Sequence, residues 1–155
     1  MACAPLQGYG IYIWHCNRDG NYSLYSSAVQ NENYLRGVRL TDANGQVTFT
    51  TIFPACYSGR YPHIHFEIYP SLAAATSYAS SVLISQMALP SDICQTVYNS
   101  ATGYTQSITN FAAVSTSSDN VFGDNTAAQL AQQTPALAGS VAAGYTGTIL
   151  IGVGA

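Results

Sequence analysis

His63-Ile64-His65 leaves the loop Tyr57-Ser58-Gly59-Arg60-Tyr61-Pro62 and runs into Phe66-Glu67-Ile68-Tyr69, a β-branched and aromatic stretch that predicts a strand. Strand side chains alternate faces, so His63 and His65 present two imidazoles on one side while Ile64 faces the other. Two nitrogen donors on one face are half of a metal shell, although a His-x-His pair suits a solvated strand equally well. The third and last histidine, His15, lies far upstream beside Trp14, so other donors must complete any site. Tyrosine is the natural candidate, with 12 in 155 residues. A phenolate is a hard anionic oxygen that suits a small, highly charged ion such as Fe(III). Free phenol ionises only near pH ~10, and metal binding supplies the energy to remove its proton. For most tyrosines, among them Tyr9, Tyr12, Tyr34, Tyr69, Tyr98 and Tyr145, the apolar or alternating context instead predicts half-buried packing.

Longer patterns surround these residues. Trp14-His15-Cys16-Asn17-Arg18-Asp19-Gly20-Asn21-Tyr22-Ser23 has the form Trp-His-x-x-x-x-Gly-x-Tyr-Ser, and Thr51-Ile52-Phe53-Pro54, of the form Thr-Ile-x-Pro, precedes Tyr57. Arg60 stands three residues before His63, and Leu83-Ile84-Ser85-Gln86 follows downstream. Across essentially the whole chain these motifs resemble the intradiol ring-cleavage dioxygenases, non-haem Fe(III) enzymes that open catechols between their two hydroxyls. The likeness is greatest to the short, exported branch of that family. The resemblance implies one Fe(III) per chain held by Tyr22, Tyr57, His63 and His65. Tyr22 and His63 would be equatorial and Tyr57 and His65 axial, with Tyr57 giving way to the arriving catecholate. It implies that both atoms of O2 end in a muconate-type diacid without an external reductant, the metal acting as Lewis acid and template. Arg60 would stabilise negative charge on the ring, and Gln86 would hydrogen-bond substrate or an oxygen intermediate. Outside the motif, Arg60 reads as a solvated loop cation.

The elements that must position these groups are mostly strands. Alternating or β-branched runs at residues 10–15, 35–41, 46–52, 63–69, 82–89 and 145–153 are separated by turn signals such as Asp42-Ala43-Asn44-Gly45. Pro90-Ser91-Asp92 opens a short helix through Tyr98, and residues 105–113 suit another. Residues 115–140, rich in Ser, Thr, Asn, Gln and Ala, read as long surface loop. The expected fold is an all-β antiparallel sandwich with one or two short helices, forming a single domain over residues 1–155. At 48% hydrophobic residues the chain can bury a sizeable core.

Only 7% of residues are charged, none is lysine, and the net charge is −3, which argues against nucleic acid or an anionic membrane surface as partner. No apolar run reaches the eighteen or so residues of a membrane span, and no signal peptide is evident in the sequence. Cys3, Cys16, Cys56 and Cys94 in a charge-poor chain suggest two disulfides and an exported or extracytoplasmic protein. Zinc competes for four cysteines, but no Cys-x-x-Cys pair is present. Of three possible pairings, Cys16 with Cys56 is favoured because it would tie the Tyr22 and Tyr57 segments together, leaving Cys3 with Cys94. The resemblance also implies an N-terminal segment with a strand and dimerising elements, which this sequence does not include. A truncated product with an exposed sheet edge is therefore expected, and the oligomeric state, monomer or homodimer, stays open. The expected partners are a small aromatic diol and O2, with neutral catechols or larger polyphenols preferred over carboxylated ones. Two other classes remain: a colourless exported β-sandwich binding module, and a different metal enzyme in which Glu67 joins His63 and His65 in place of the tyrosines.

Overall fold

The computed structural model describes residues 4–154. Four antiparallel strands, β1 (Gly10–Trp14), β2 (Arg36–Leu40), β3 (His63–Tyr69) and β4 (Leu83–Ala88), form one sheet in the order β2-β1-β3-β4. Their alternation decides which face is dry. Ile13, Phe66 and Ile68 are buried together, with Ile11, Ile64, Leu83, Met87 and Phe49 packed against them. The opposite face carries Trp14, His63, His65 and Gln86, because Trp14 pairs with His65 and His65 with Gln86 in the register. Slipping β3 by one residue would expose Phe66 and bury the imidazoles in the core, so hydrophobic burial itself fixes which way the histidines point.

Helices α1 (Ser91–Ser100) and α2 (Thr105–Ala112) make a second core in which Cys94, Val97, Tyr98 and Tyr104 pack with Phe53 and Phe111. The Tyr98 and Tyr104 hydroxyls donate to the carbonyls of Pro54 and Phe53, at 3.0 and 2.7 Å, and so hold the chain just before Tyr57. A third helix, α3 (Ala127–Gln133), is docked on β4 by Gln133 Nε2, which donates to Ser85 Oγ at 3.0 Å. Strands β5 (Ala136–Ser140) and β6 (Gly144–Thr148) form a separate antiparallel pair. Among the described residues no helix is long and apolar enough to cross a membrane.

The antiparallel β architecture is the expected one, with corrections in detail. Among the described residues there are three short α-helices rather than one or two, and residues 115–140 are not continuous loop, since α3 and β5 lie within them. The start of α3 is written in the sequence: Thr126 and Gln129 form a reciprocal capping box, a local signal that outweighs the polar composition around it. Residues 46–52 form no strand. Their exposure alternates and Phe49 reaches the sheet core, but a strand also needs a hydrogen-bonded neighbour, and the backbone partners described here are a reciprocal turn between Asp42 and Gln46 and Arg39 Nη1 on the Thr48 carbonyl. Residues 149–153, expected to extend the last strand, leave it at Thr148, and Ile151 and Val153 return to the sheet core.

The favoured Cys16–Cys56 bridge is absent. Both are buried free thiols, each donating to a carbonyl at 3.5 Å, Cys16 to Ala55 and Cys56 to Arg60. Burial pushes both thiols up to about 12, which suits small apolar packing rather than thiolate chemistry. Cys94 is likewise a buried thiol, and Cys3, its expected partner, lies outside the described residues.

Candidate metal centre

Two loops bring phenols to the imidazole face of β3. After β1 the chain turns tightly around Asn17, whose Oδ1 accepts the N–H groups of Asp19 and Asn21 at 3.0 and 2.9 Å. Gly20 is required there twice over. Its φ is +83°, and a Cβ would stand 3.0 Å from Tyr57 Cβ, so the absence of a side chain lets the two tyrosine-bearing loops touch. Ala55 N–H donates to the Asn17 carbonyl at 3.3 Å and joins the loops again. Ser23, the next residue after Tyr22, is held by its Oγ donating to the Tyr34 carbonyl at 2.6 Å and accepting from Arg36 Nε at 3.0 Å.

The four side chains meet at their polar tips. His63 Nε2 lies 3.1 Å from Tyr22 Oη, 3.4 Å from Tyr57 Oη and 3.1 Å from His65 Nε2. The other ring nitrogen of His63, Nδ1, donates to the Tyr61 carbonyl, which fixes the tautomer and turns the Nε2 lone pair inward. His65 is stacked on Trp14 with ring centroids 4.5 Å apart and planes 8° from parallel, so its ring orientation is also set. His63 is buried and edges onto the ring of Phe122.

Burial dominates the electrostatics. It lowers His63 to about 4 and His65 to about 3, with the neighbouring His63 adding to the second shift, so both imidazoles are neutral with free lone pairs at neutral pH. Burial also raises both phenols, Tyr22 with a further contribution from Tyr57. The Arg60 guanidinium opposes the rise at Tyr57 through its charge. One imidazole lone pair can accept one hydrogen bond, yet three polar atoms converge on His63 Nε2. Hydrogen bonding does not require that crowding. Bonds of about 2.1 Å to a central cation, at angles of about 90 to 109°, separate ligand atoms by about 3.0 to 3.4 Å, which matches the spacings here. Two phenols and two imidazoles therefore fit a hard, highly charged cation.

The Glu67 alternative is overturned. The Glu67 carboxylate accepts the Tyr69 hydroxyl, and among the described residues no group of three or more His, Cys, Asp or Glu is placed to hold a metal. Without the phenols there is no complete donor set. His15 stays out of the cluster, with Nδ1 facing the Cys16 carbonyl and Nε2 bonded to Thr51 Oγ1 at 2.7 Å.

Arg60 stands at the edge of the cluster. Its Nε donates to Asp119 Oδ2 at 2.9 Å and its Nη2 to Gln86 Oε1 at 2.7 Å. Asp119 is the participant that sequence reasoning missed. It sits in the stretch read as surface loop, 59 residues from Arg60, and the one local clue was an Asp able to cap its own following N–H groups. A cavity of about 430 Å³ between the helices, lined by Tyr61, Leu89, Phe111 and Leu130 among others, contains none of the four tip-to-tip side chains.

The depressed histidines carry a sign that can be checked on the metal-free protein. Their folded pKa values of about 4 and 3 lie below the ordinary 6.5, so between those limits the unfolded chain binds more protons and stability rises with pH. The thermal midpoint of chelator-treated protein is expected to fall steadily from pH 7 to pH 4. A midpoint flat across that range would contradict the burial of these rings.

A family model described as Dioxygenase matches residues 1–120. Chlorocatechol 1,2-dioxygenase of Rhodococcus opacus is 38% identical over 53 residues, 34% of this chain and 21% of that protein. Catechol 1,2-dioxygenase 2 of Acinetobacter lwoffii is 37% identical over 54 residues, 35% of this chain and 19% of that protein. The matched region thus spans about a fifth of these relatives' length. Among solved structures, an intradiol ring-cleavage dioxygenase from Tetranychus urticae superposes with a TM-score of 0.77 at 24% identity, covering 97% of this chain and 74% of that one. The dioxygenase domain of a dioxygenase and carbohydrate-binding protein fusion from Streptomyces sp. SirexAA-E gives a TM-score of 0.56 at 21% identity, over 96% of this chain and 69% of that one. At those identities the likeness speaks for the fold.

Proposed function

The chain belongs to the intradiol ring-cleavage dioxygenase family, and on that premise we propose that it cleaves catecholic diols with O2 between their hydroxyls to give muconate-type diacids. The observation that carries this reading is the convergence of Tyr22 Oη, Tyr57 Oη and His65 Nε2 on His63 Nε2 at 3.1 to 3.4 Å. These four residues are the proposed holders of one ferric ion per chain. When bound, the ion supplies Lewis acidity that activates the chelated diol toward O2. The balance needs no other co-reactant, since both oxygen atoms enter the product.

The protein's own groups divide the remaining work. Neutral His63 and His65 offer lone pairs without having to lose a proton. Tyr22 and Tyr57 would hold the ion as phenolates, and the Arg60 charge favours the ionised form of both against the burial that opposes it. Arg60 offers a fixed positive charge to electron density moving onto the ring, and Gln86, across from His65 in the register, offers an amide hydrogen bond.

The test is colour, metal content and oxygen uptake together. Purified protein should carry about one iron per chain, absorb in the visible through phenolate-to-iron charge transfer, and consume one O2 per catechol. Trp14 is the only tryptophan and lies against His65, so its fluorescence should be quenched as iron is added back to chelated protein. Bound zinc would sink this reading, and a colourless, metal-free protein with unquenched Trp14 would return the chain to the binding-module reading.

A further inference from the structure

The guanidinium of Arg60 is clamped from two distant parts of the sequence. Besides its bonds to Asp119 Oδ2 and Gln86 Oε1, its Nη2 lies 3.4 Å from Asp119 Oδ1. The Asp119 side chain is 0% exposed, against 16% for Arg60. It also accepts the backbone N–H groups of Tyr61 at 2.7 Å, Val121 at 2.8 Å and Phe122 at 3.2 Å. Burial alone would raise this carboxylate, but Arg60 and the N–H groups of Tyr61 and Val121 outweigh it and keep the group ionised. Asp119 is therefore an immobile anion, tied to the residue after Arg60 and to its own loop. Among the described residues, Arg60 Nη1 and Gln86 Nε2 make no hydrogen bond.

We propose that Asp119 is the positioning residue of this site: it fixes the Arg60 guanidinium and, through Arg60 Nη2, turns the Gln86 Oε1 toward the arginine, leaving Arg60 Nη1 and Gln86 Nε2 as free N–H donors beside the metal ligands. A side-chain amide is ambiguous about which end it presents, and a guanidinium on its carbon stem sweeps a wide arc. The Asp119–Arg60–Gln86 chain removes both freedoms before substrate arrives, which is the condition for a donor to stabilise developing charge without reorganising. A carboxylate that served only to staple the loop could hold it through the three backbone N–H groups alone. The proposal rests on the dioxygenase reading for the reaction it serves, whereas the clamp itself can be tested without metal.

Two measurements test it. In iron-loaded protein, Asp119→Asn is expected to lower kcat for catechol about tenfold or more with KM changed by less than about threefold, at wild-type iron content and colour. The Asp119→Asn/Arg60→Gln double variant should be no slower than Arg60→Gln within about twofold, because removing either partner removes the same interaction. Independent, multiplicative losses in the double variant would overturn the proposal. In the full chain freed of metal, the Nε–H resonance of Arg60, assigned by its loss in Arg60→Lys, should exchange slowly in wild type and rapidly in Asp119→Asn. Persistent protection in that variant would also overturn it. Should Asp119→Asn fail to fold, Arg60→Lys carries the kinetic test, since lysine keeps the charge but lacks the planar fork that reaches both partners. Wild-type kcat in Arg60→Lys would then overturn the proposal. An iron-free, colourless wild type would sink the dioxygenase reading and still leave the resonance test to decide the clamp.

Discussion

His65→Ala is expected to purify without stoichiometric iron, without visible colour and without measurable ring cleavage. His65 supplies one of four converging donors and stands 3.1 Å from His63 Nε2. Removing a side chain that merely supports a metal ligand typically costs about 10- to 100-fold in affinity, and removing a ligand itself should exceed that. The loss should be local, because His65 lies on the face of β3 opposite the Ile13, Phe66 and Ile68 core. Added Fe(III) should no longer quench Trp14. The matched control is Glu67→Gln, two residues along the same face. Its carboxylate is occupied by the Tyr69 hydroxyl, so iron content, colour and turnover should stay at wild-type values. His65→Ala protein that still binds one coloured ferric ion per chain would remove His65 from the ligand set. A Glu67→Gln protein that lost iron would bring back the carboxylate alternative.

How far the sequence could be read depended on the range of the interaction. The strand at His63–Tyr69 coincides with the run predicted from β-branched and aromatic residues, and β1, β2 and β4 fall within a residue of their predicted ends, because period-two burial is a local pattern. The pairing of His63 and His65 on one face follows from the same periodicity. Tyr22 and Tyr57 were singled out only by motif. Nothing local separates them from Tyr9 or Tyr98, and their meeting depends on the contact between Gly20 and Tyr57, a tertiary event. Residues 46–52 show the converse, with side-chain alternation present and no ladder partner formed. Asp119 was illegible for the same reason, since its meaning lies in a buried pairing with Arg60 across 59 residues, and a lone acid among serines looks solvated. The expected Cys16–Cys56 bridge rested on parity and on proximity to the site, neither of which reports whether two thiols face each other. With that bridge absent, export of the protein rests on charge-poor composition and on the resemblance to the exported branch, and is a proposal.

Neutral catechols are expected to exceed protocatechuate in kcat/KM by about a hundredfold, equivalent to about 2.7 kcal/mol in transition-state binding. A carboxylate held in a partly dry site needs a cation or several donors, since burying it unpaired costs several kcal/mol. The chain has four arginines and no lysine, and each arginine can be placed. Arg60 is clamped by Asp119 and Gln86, and its remaining Nη1 is assigned to the charge developing on the reacting ring. Arg36 is on the same face as the site, since it pairs with Trp14. Its Nε and Nη2 are nonetheless spent on the Ser23 hydroxyl and carbonyl and its Nη1 on the Tyr12 hydroxyl at 2.8 Å, with the guanidinium lying over the Tyr25 ring. Arg39 donates to the Thr48 carbonyl from an exposed position, and three-residue spacing from Arg36 turns it to the other face. Arg18 packs over Gly103, where a Cβ would stand 2.7 Å from its Cδ. To meet a substrate carboxylate, Arg36 would have to give up the contacts that hold Ser23, and with it the backbone of Tyr22. Comparing catechol, hydroxyquinol and protocatechuate at one pH, by oxygen uptake with product identification, decides the matter. If protocatechuate wins by tenfold or more, Arg36 is the residue to suspect, and Arg36→Gln should then abolish that preference while leaving catechol turnover the better preserved of the two.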